Sequence, residues 1–283
     1  MRERAAAWTA ACALALAVLV QGDDSKGGGK KGRKRGTDVD GPLGPPTSFT
    51  VTGVREPSGI AWHAQLSRLF VVGDDGTLAE LDGDGRTLHT TTIGGNLEDV
   101  TVHGPTGLLI LIAEARGELI AWDPRERRET GRWQLDTAVL LGRPAADAKQ
   151  GFEGIFFQAG GNLPGGGIFH LVHQRGPAAV LEIAFDPAGP VGGLGGEALV
   201  RHWPAPHAND LTAITYVPAL DRYYVIAEAS DRLLSFRAGG SPDGELPLPG
   251  IQQEGLCVDG QGRLWVADDR GGRVMRFDRL PAH

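Results

Sequence analysis

Nine carboxylates and one histidine recur at two set places along this chain, a spacing that gathers oxygen donors for a hard cation. Glu98, Glu153 and Glu254 each precede a small residue or Asp that opens an apolar stretch. The stretches are Glu98-Asp99-Val100-Thr101-Val102, Glu153-Gly154-Ile155-Phe156-Phe157 and Glu254-Gly255-Leu256-Cys257-Val258. Ser58-Gly59-Ile60-Ala61-Trp62 and Thr212-Ala213-Ile214-Thr215-Tyr216 have a hydroxyl instead, with Glu56 and Asp210 just upstream. A second set, Asp74, Glu114, His173, Glu228 and Asp268, closes the next apolar stretch each time, and Asp75 and Asp269 adjoin it.

Two carboxylates about 4 Å apart repel by roughly 4 kcal/mol at an effective dielectric of 20. Such a group must bind a cation, pair with arginine or hold a proton. Calcium suits it, since that ion takes about six to eight oxygen ligands of mixed type. A lone His173 argues against zinc, which favours nitrogen and sulfur. The expected metal ligands are Glu56, Glu98, Glu153, Asp210 and Glu254. Asp74, Glu114, Glu228 and Asp268 would line a ligand site beside them. Arg116, Arg175, Arg232 and Arg270 follow closely, as counter-charges or as a means of holding an anionic ligand over the acids.

The elements that position these residues come from an internal repeat. From Gly59 to Asp99, Gly154, Ala213 and Gly255 the steps are 40, 55, 59 and 42 residues. Each start leads to a second strand, at 69–73, 109–113, 168–172, 223–227 and 264–267. Third strands are expected at 78–81, 119–122, 180–185, 233–236 and 274–277, four of them ending in Asp82, Asp123, Asp186 or Asp278 as turns require. Weaker fourth strands fall near 90–93, 133–135, 199–203 and 245–248. Four short antiparallel strands per repeat describe a propeller blade, and radial closure hides the sheet edges. The fifth repeat ends after three strands, so 49–52 is expected to complete it and close the ring. The expected fold is all-β, a single propeller of five four-stranded blades. Six is the alternative, because glycine-rich stretches at 160–167 and 189–196 lengthen the third repeat.

Strand connectivity places the start of each first strand and the end of each second strand on one face, near the axis. All ten positions therefore meet at one mouth. The competing role for each acid is structural: it accepts backbone N–H groups of the adjacent blade and locks the ring.

Composition divides the chain. Residues 1–46 hold eight Lys and Arg against five Asp and Glu; the totals of 28 and 35 leave 20 against 30 for the remainder. An acidic body with scattered arginines argues against nucleic acid as its partner, since phosphate binding needs clustered positive charge. Forty-three glycines and eighteen prolines exclude a helix bundle. Arg2 and Arg4, then the apolar run 5–20, then Gln21-Gly22, have the form of a signal peptide over 1–22, with an uncleaved anchor as the alternative. Residues 23–47 read as a basic linker, and 26–35 offer contact with an anionic membrane surface. Basic residues behind an apolar segment tend to stay cytoplasmic, which opposes translocation. The propeller is assigned to 48–280 and expected to be a monomer. Cys12 lies in the apolar run, and Cys257 reads as a small buried side chain.

Several segments resemble the SdiA-regulated (YjiK-like) β-propeller family of bacterial envelope proteins. They are Glu56-Pro57-Ser58-Gly59-Ile60, Lys149-Gln150-Gly151-Phe152-Glu153-Gly154-Ile155, Asn209-Asp210-Leu211-Thr212-Ala213-Ile214, and Gln253-Glu254-Gly255-Leu256 through Leu264-Trp265-Val266-Ala267. Many propellers share such blade starts, so the order of the segments carries the resemblance. It implies a secreted or periplasmic propeller with a calcium site and no settled activity. The chain departs from the pattern at Thr212, where Ser is usual. It departs again at His173-Gln174-Arg175-Gly176-Pro177, where an acid-containing segment would stand, leaving one ligand of an inherited metal site open.

Three functions fit. The first is an exported, calcium-stabilised module binding a small-molecule or envelope ligand. The second is a calcium-dependent hydrolase of a lactone, ester or phosphoester, with His173 or a glutamate as base. The third is an interaction scaffold tethered by the basic tail. No Gly-x-Ser-x-Gly elbow, His-Glu-x-x-His or phosphate loop is present.

Overall fold

Short apolar alternations broken by Gly, Asp and Pro pair into five antiparallel blades of four strands, set in a ring. The computed structural model describes residues 42–142, 151–176, 178–205 and 210–280. From hub to rim, blade one is Pro57–His63, Arg68–Gly73, Thr77–Leu81 and Thr87–Thr92. Blade two is Leu97–His103, Leu108–Ala113, Glu118–Asp123 and Arg128–Leu135. Blade three is Phe152–Ala159, Gly167–His173, Ala179–Ile183 and Leu199–Pro204. Blade four is Leu211–Val217, Arg222–Ala227, Arg232–Arg237 and Pro242–Pro247. Blade five is Gln253–Val258, Leu264–Asp268 and Arg273–Phe277, completed by Thr47–Thr50 from the other end of the sequence.

That last pairing is antiparallel, with Thr47 opposite Arg276 and Thr50 opposite Arg273. Phe49 packs on Trp265 with ring centroids 5.4 Å apart, and the Arg276 guanidinium covers its face. Packing also starts ahead of the expected boundary at 48. Leu43 is buried among blades four and five, because an apolar side chain beside an open inter-blade seam gains by filling it.

Five blades leave no room for the sixth. The glycine-rich segment 189–196 instead lends a two-residue strand, Gly193–Leu194, which pairs in parallel with Gln134–Leu135 of blade two. The signal-like segment, the basic stretch 26–35, Lys149-Gln150, Pro177 and Asn209 lie outside the described residues.

The first strands crowd the axis, and the repeat position explains how. Gly59, Gly154 and Gly255 have no room for a side chain: a Cβ on Gly59 would sit 2.4 Å from the Asp99 Cα, and one on Gly255 2.7 Å from the Gly59 Cα. Asp99 alone among the five equivalents carries a polar side chain, and it occupies the axis the others vacate.

The acidic mouth

Every first strand begins with a break in its pairing to the second. The register shifts between Pro57 and Gly59, Leu97 and Val100, Phe152 and Gly154, Leu211 and Ile214, and Gln253 and Gly255. The residues skipped include Ser58, Glu98, Glu153, Thr212 and Glu254, the same acid-or-hydroxyl positions that define the repeat. A bulge re-aims the side chain it leaves unpaired. Here it frees each of these side chains from the ladder at the channel mouth.

Mutual repulsion shows which acids converge. Glu254 is pushed up to about 9 by burial, then by the charges of Asp269, Asp74, Glu98 and Glu228. Burial, followed by the charges of neighbouring carboxylates, raises both Glu98 and Glu153. Glu98 feels Asp74 and Glu114 most, while Glu153 feels Glu98 and Glu114 and is hydrogen-bonded to both. Asp74 is raised by burial and by Glu56 and Asp75, although the Ser58 hydroxyl donates to it. Asp269 is pushed up to about 6 by burial, then by Asp74, Glu56 and Asp268. Blades one, two, three and five thus meet in one field of negative charge, and Glu228 adds blade four.

The structural role of the acids is present as well. Glu114 of blade two accepts the Gly151 N–H of blade three at 2.8 Å, and Asn96 donates to Glu98. Asp99 is 1 % exposed. Its two oxygens accept Val100 N–H and Ile155 N–H, both at 2.8 Å, and it also accepts from Ile60. One carboxyl therefore ties three blades, and burial still pushes its pKa well above the ordinary range.

The remaining expected residues fall into separate settings. Asp210 is buried and pairs with Arg175 at 2.5 Å, across from blade three to the start of blade four. Asp268 is fully buried and is neutralised at 2.9 Å by Arg273 of the adjacent strand, not by the expected Arg270. Arg270 acts on Asp269 instead, lowering its pKa slightly against the acids around it. Arg232 approaches Glu245 on the outermost strand at 4.0 Å, and Arg116 is exposed at the end of the turn Glu114–Arg116. Glu56 is exposed just ahead of the innermost strand of blade one, and its charge adds to the burial that raises Asp74 and Asp269. His173 is 2 % exposed, with its ring edge-on to Phe152, so it lies inside blade three.

Sequence reasoning missed Asp99 as a lock and Arg273 as a counter-charge. The first had a visible signal, an Asp in register with Gly, Gly, Gly and Ala. The second had none, because it depends on which strand lies beside Asp268.

The donors are hard carboxylate oxygens, and the one described thiol, Cys257, is buried away from them in the core shared by blades one and five. This chemistry fits a calcium-type ion. Among the described residues no three Asp, Glu, His or Cys side chains already surround a common point as metal ligands. The glutamates would have to turn inward to hold one.

Residues 48–269 match the profile of the family described as SdiA-regulated. No curated protein matches the chain in sequence. Among solved structures, the glutaminyl cyclase of Myxococcus xanthus is similar, with a TM-score of 0.55 and 14 % identity over 82 % of this chain and 95 % of that one. A protein of unknown function from Bacteroides caccae gives 0.48 and 10 % identity over 76 % of this chain and 71 % of the other. At 14 % identity the likeness to the cyclase shows the propeller fold alone.

Proposed function

The chain belongs to the SdiA-regulated family, and from that premise we propose that it is an exported, envelope-facing binding module whose acidic mouth takes a divalent cation, calcium above all. The observation that carries this reading is the charge balance at the mouth. Asp210 and Asp268 have arginine partners, whereas Glu98, Glu153 and Glu254 are set among carboxylates that raise one another. A cation there would replace protons that the glutamates otherwise retain. Glu98, Glu153 and Glu254 would hold it, with Glu114 and Asp74 behind them, and the ion would present a positive centre to an anionic or carbonyl-bearing ligand. Export rests on the basic-then-apolar segment at residues 2–20.

Thermal unfolding of protein stripped of metal, scanned with and without calcium, tests this. Calcium should raise the midpoint by several degrees, and Glu153→Gln and Glu254→Gln should each remove most of that rise. Equal midpoints with excess calcium and with chelator would count against it.

One observation favours hydrolysis as a second reading. Glu153 is hydrogen-bonded to both Glu98 and Glu114, and burial together with their charges pushes its pKa upward, the arrangement of a general acid among carboxylates. Turnover of a generic lactone or phosphoester that disappears in Glu153→Gln would move the assignment to an enzyme.

A further inference from the structure

The opposite end of the channel has a different character. Beyond the Asp99 layer the first strands diverge and enclose a cavity of 390 Å³, open toward the loops that carry Ala64, Gln65 and Gly104. That volume lies within the range of sites that hold small molecules. Its floor is fixed by Asp99, since Ile60, Val100 and Ile155, whose N–H groups the Asp99 carboxyl accepts, are themselves lining residues.

Among the described residues, no Asp, Glu, Lys or Arg lines this cavity. Its lining is mostly aliphatic and aromatic, with Ile60, Val100 and Phe156 among it, and His63, Gln65, Thr101, Thr215 and Tyr216 bring polar groups. Tyr216 donates its phenol proton to Asp221 at 2.7 Å, which leaves its oxygen as an acceptor. His63 of blade one directs Nε2 at the Gly107 carbonyl of blade two, 3.0 Å away, and is thereby occupied. Moving a charged ligand into such walls without a partner costs several kcal/mol, whereas an apolar body gains roughly 25 cal/mol per Å² removed from water.

We propose that this cavity is a second binding site, separate from the acidic mouth, for an uncharged small molecule with an apolar or aromatic body. One hydroxyl or carbonyl on the ligand suffices for the polar wall at Thr215 and Tyr216. The two ends of one channel then sort ligands by charge: cations at the bulged strand starts, neutral apolar molecules at the strand ends.

The test is a fluorescence titration of the full chain with N-phenyl-1-naphthylamine, a neutral apolar probe. One saturable site is expected, indifferent to calcium and to salt. Thr215→Phe and Ala61→Phe fill the cavity, so each should weaken binding at least tenfold while the protein remains folded by circular dichroism. Absence of saturable binding, or full binding in both folded variants, overturns the proposal. If the filling variants fail to fold, a crystal of the unaltered protein soaked in the same probe decides. Density between Phe156 and Leu256 supports the site, and an empty cavity or density elsewhere overturns it.

Discussion

Asp99 Oδ2 accepts the backbone N–H of Ile155 at 2.8 Å, so a carboxyl from blade two is wedged on the ring axis against blade three. With Val100 and Ile60 it satisfies three buried donors at the one place where five strands converge. The same convergence forces Gly at the neighbouring repeat positions.

Replacing Asp99 by Ala should therefore destabilise the ring by about 3 to 5 kcal/mol, because several buried N–H groups lose their acceptor and a small void remains. Asp99→Asn should cost less, since the amide oxygen keeps one acceptor. Gly59→Ala should also destabilise, as its Cβ would meet Asp99 at 2.4 Å. Urea unfolding monitored by tryptophan fluorescence checks all three.

Ring closure gives a second prediction. Phe49 belongs to the strand that completes blade five and packs between Trp265 and Arg276. Phe49→Ala should cost about 2 to 3 kcal/mol, less than a fully buried Phe because this one is partly exposed. Removing residues 1–50 should abolish the single cooperative transition. A truncated chain that unfolds like the full one would refute closure by this strand.

Much of this was legible in the sequence, for physical reasons. Acid or hydroxyl before a small residue marks each bulge, and the bulge is where the backbone leaves the ladder, so one pattern gave blade count, phase and mouth together. The orphan strand followed from a fifth repeat one strand short. Gly193–Leu194 was not legible, because a two-residue parallel ladder has no periodicity to read. Nor was the split among the acids. Asp210 stands with Glu153 and Glu254 among the expected metal ligands and Asp268 stands with Glu114 at a second-strand end, yet each of these two aspartates has an arginine set beside it by packing.

The Arg175–Asp210 pair is half exposed on the arginine side and buried on the other. Arg175→Ala should destabilise by about 1 to 2 kcal/mol, discounted from a fully buried pair for solvent screening. A double-mutant cycle with Asp210→Asn should recover most of that loss. Full additivity of the two substitutions would show that the pair contributes nothing.

The raised acids fix the sign of the pH dependence. A carboxyl whose pKa is higher in the folded state holds a proton there that the unfolded chain has released. Its contribution is complete below the unfolded value, 3.8 for Asp269 and 4.5 for Glu254, and is lost as pH rises, through about 6 for Asp269 and about 9 for Glu254. Metal-free protein should therefore lose stability steadily between pH 5 and 9, and Glu254→Gln should flatten that slope. Chemical denaturation in chelator at several pH values measures it. A midpoint that rises over the same range would contradict the assignment.

The most direct test of the central claim counts protons. Calcium is titrated calorimetrically into metal-free protein near pH 7, in two buffers of different ionisation enthalpy. The account predicts one saturable site that releases about one proton or more per ion, as the carboxyls that bind the cation lose their protons to the buffer. Glu153→Gln and Glu254→Gln should lose both the heat and the release. No saturable heat in either buffer, or binding that releases no protons and survives both substitutions, would contradict it.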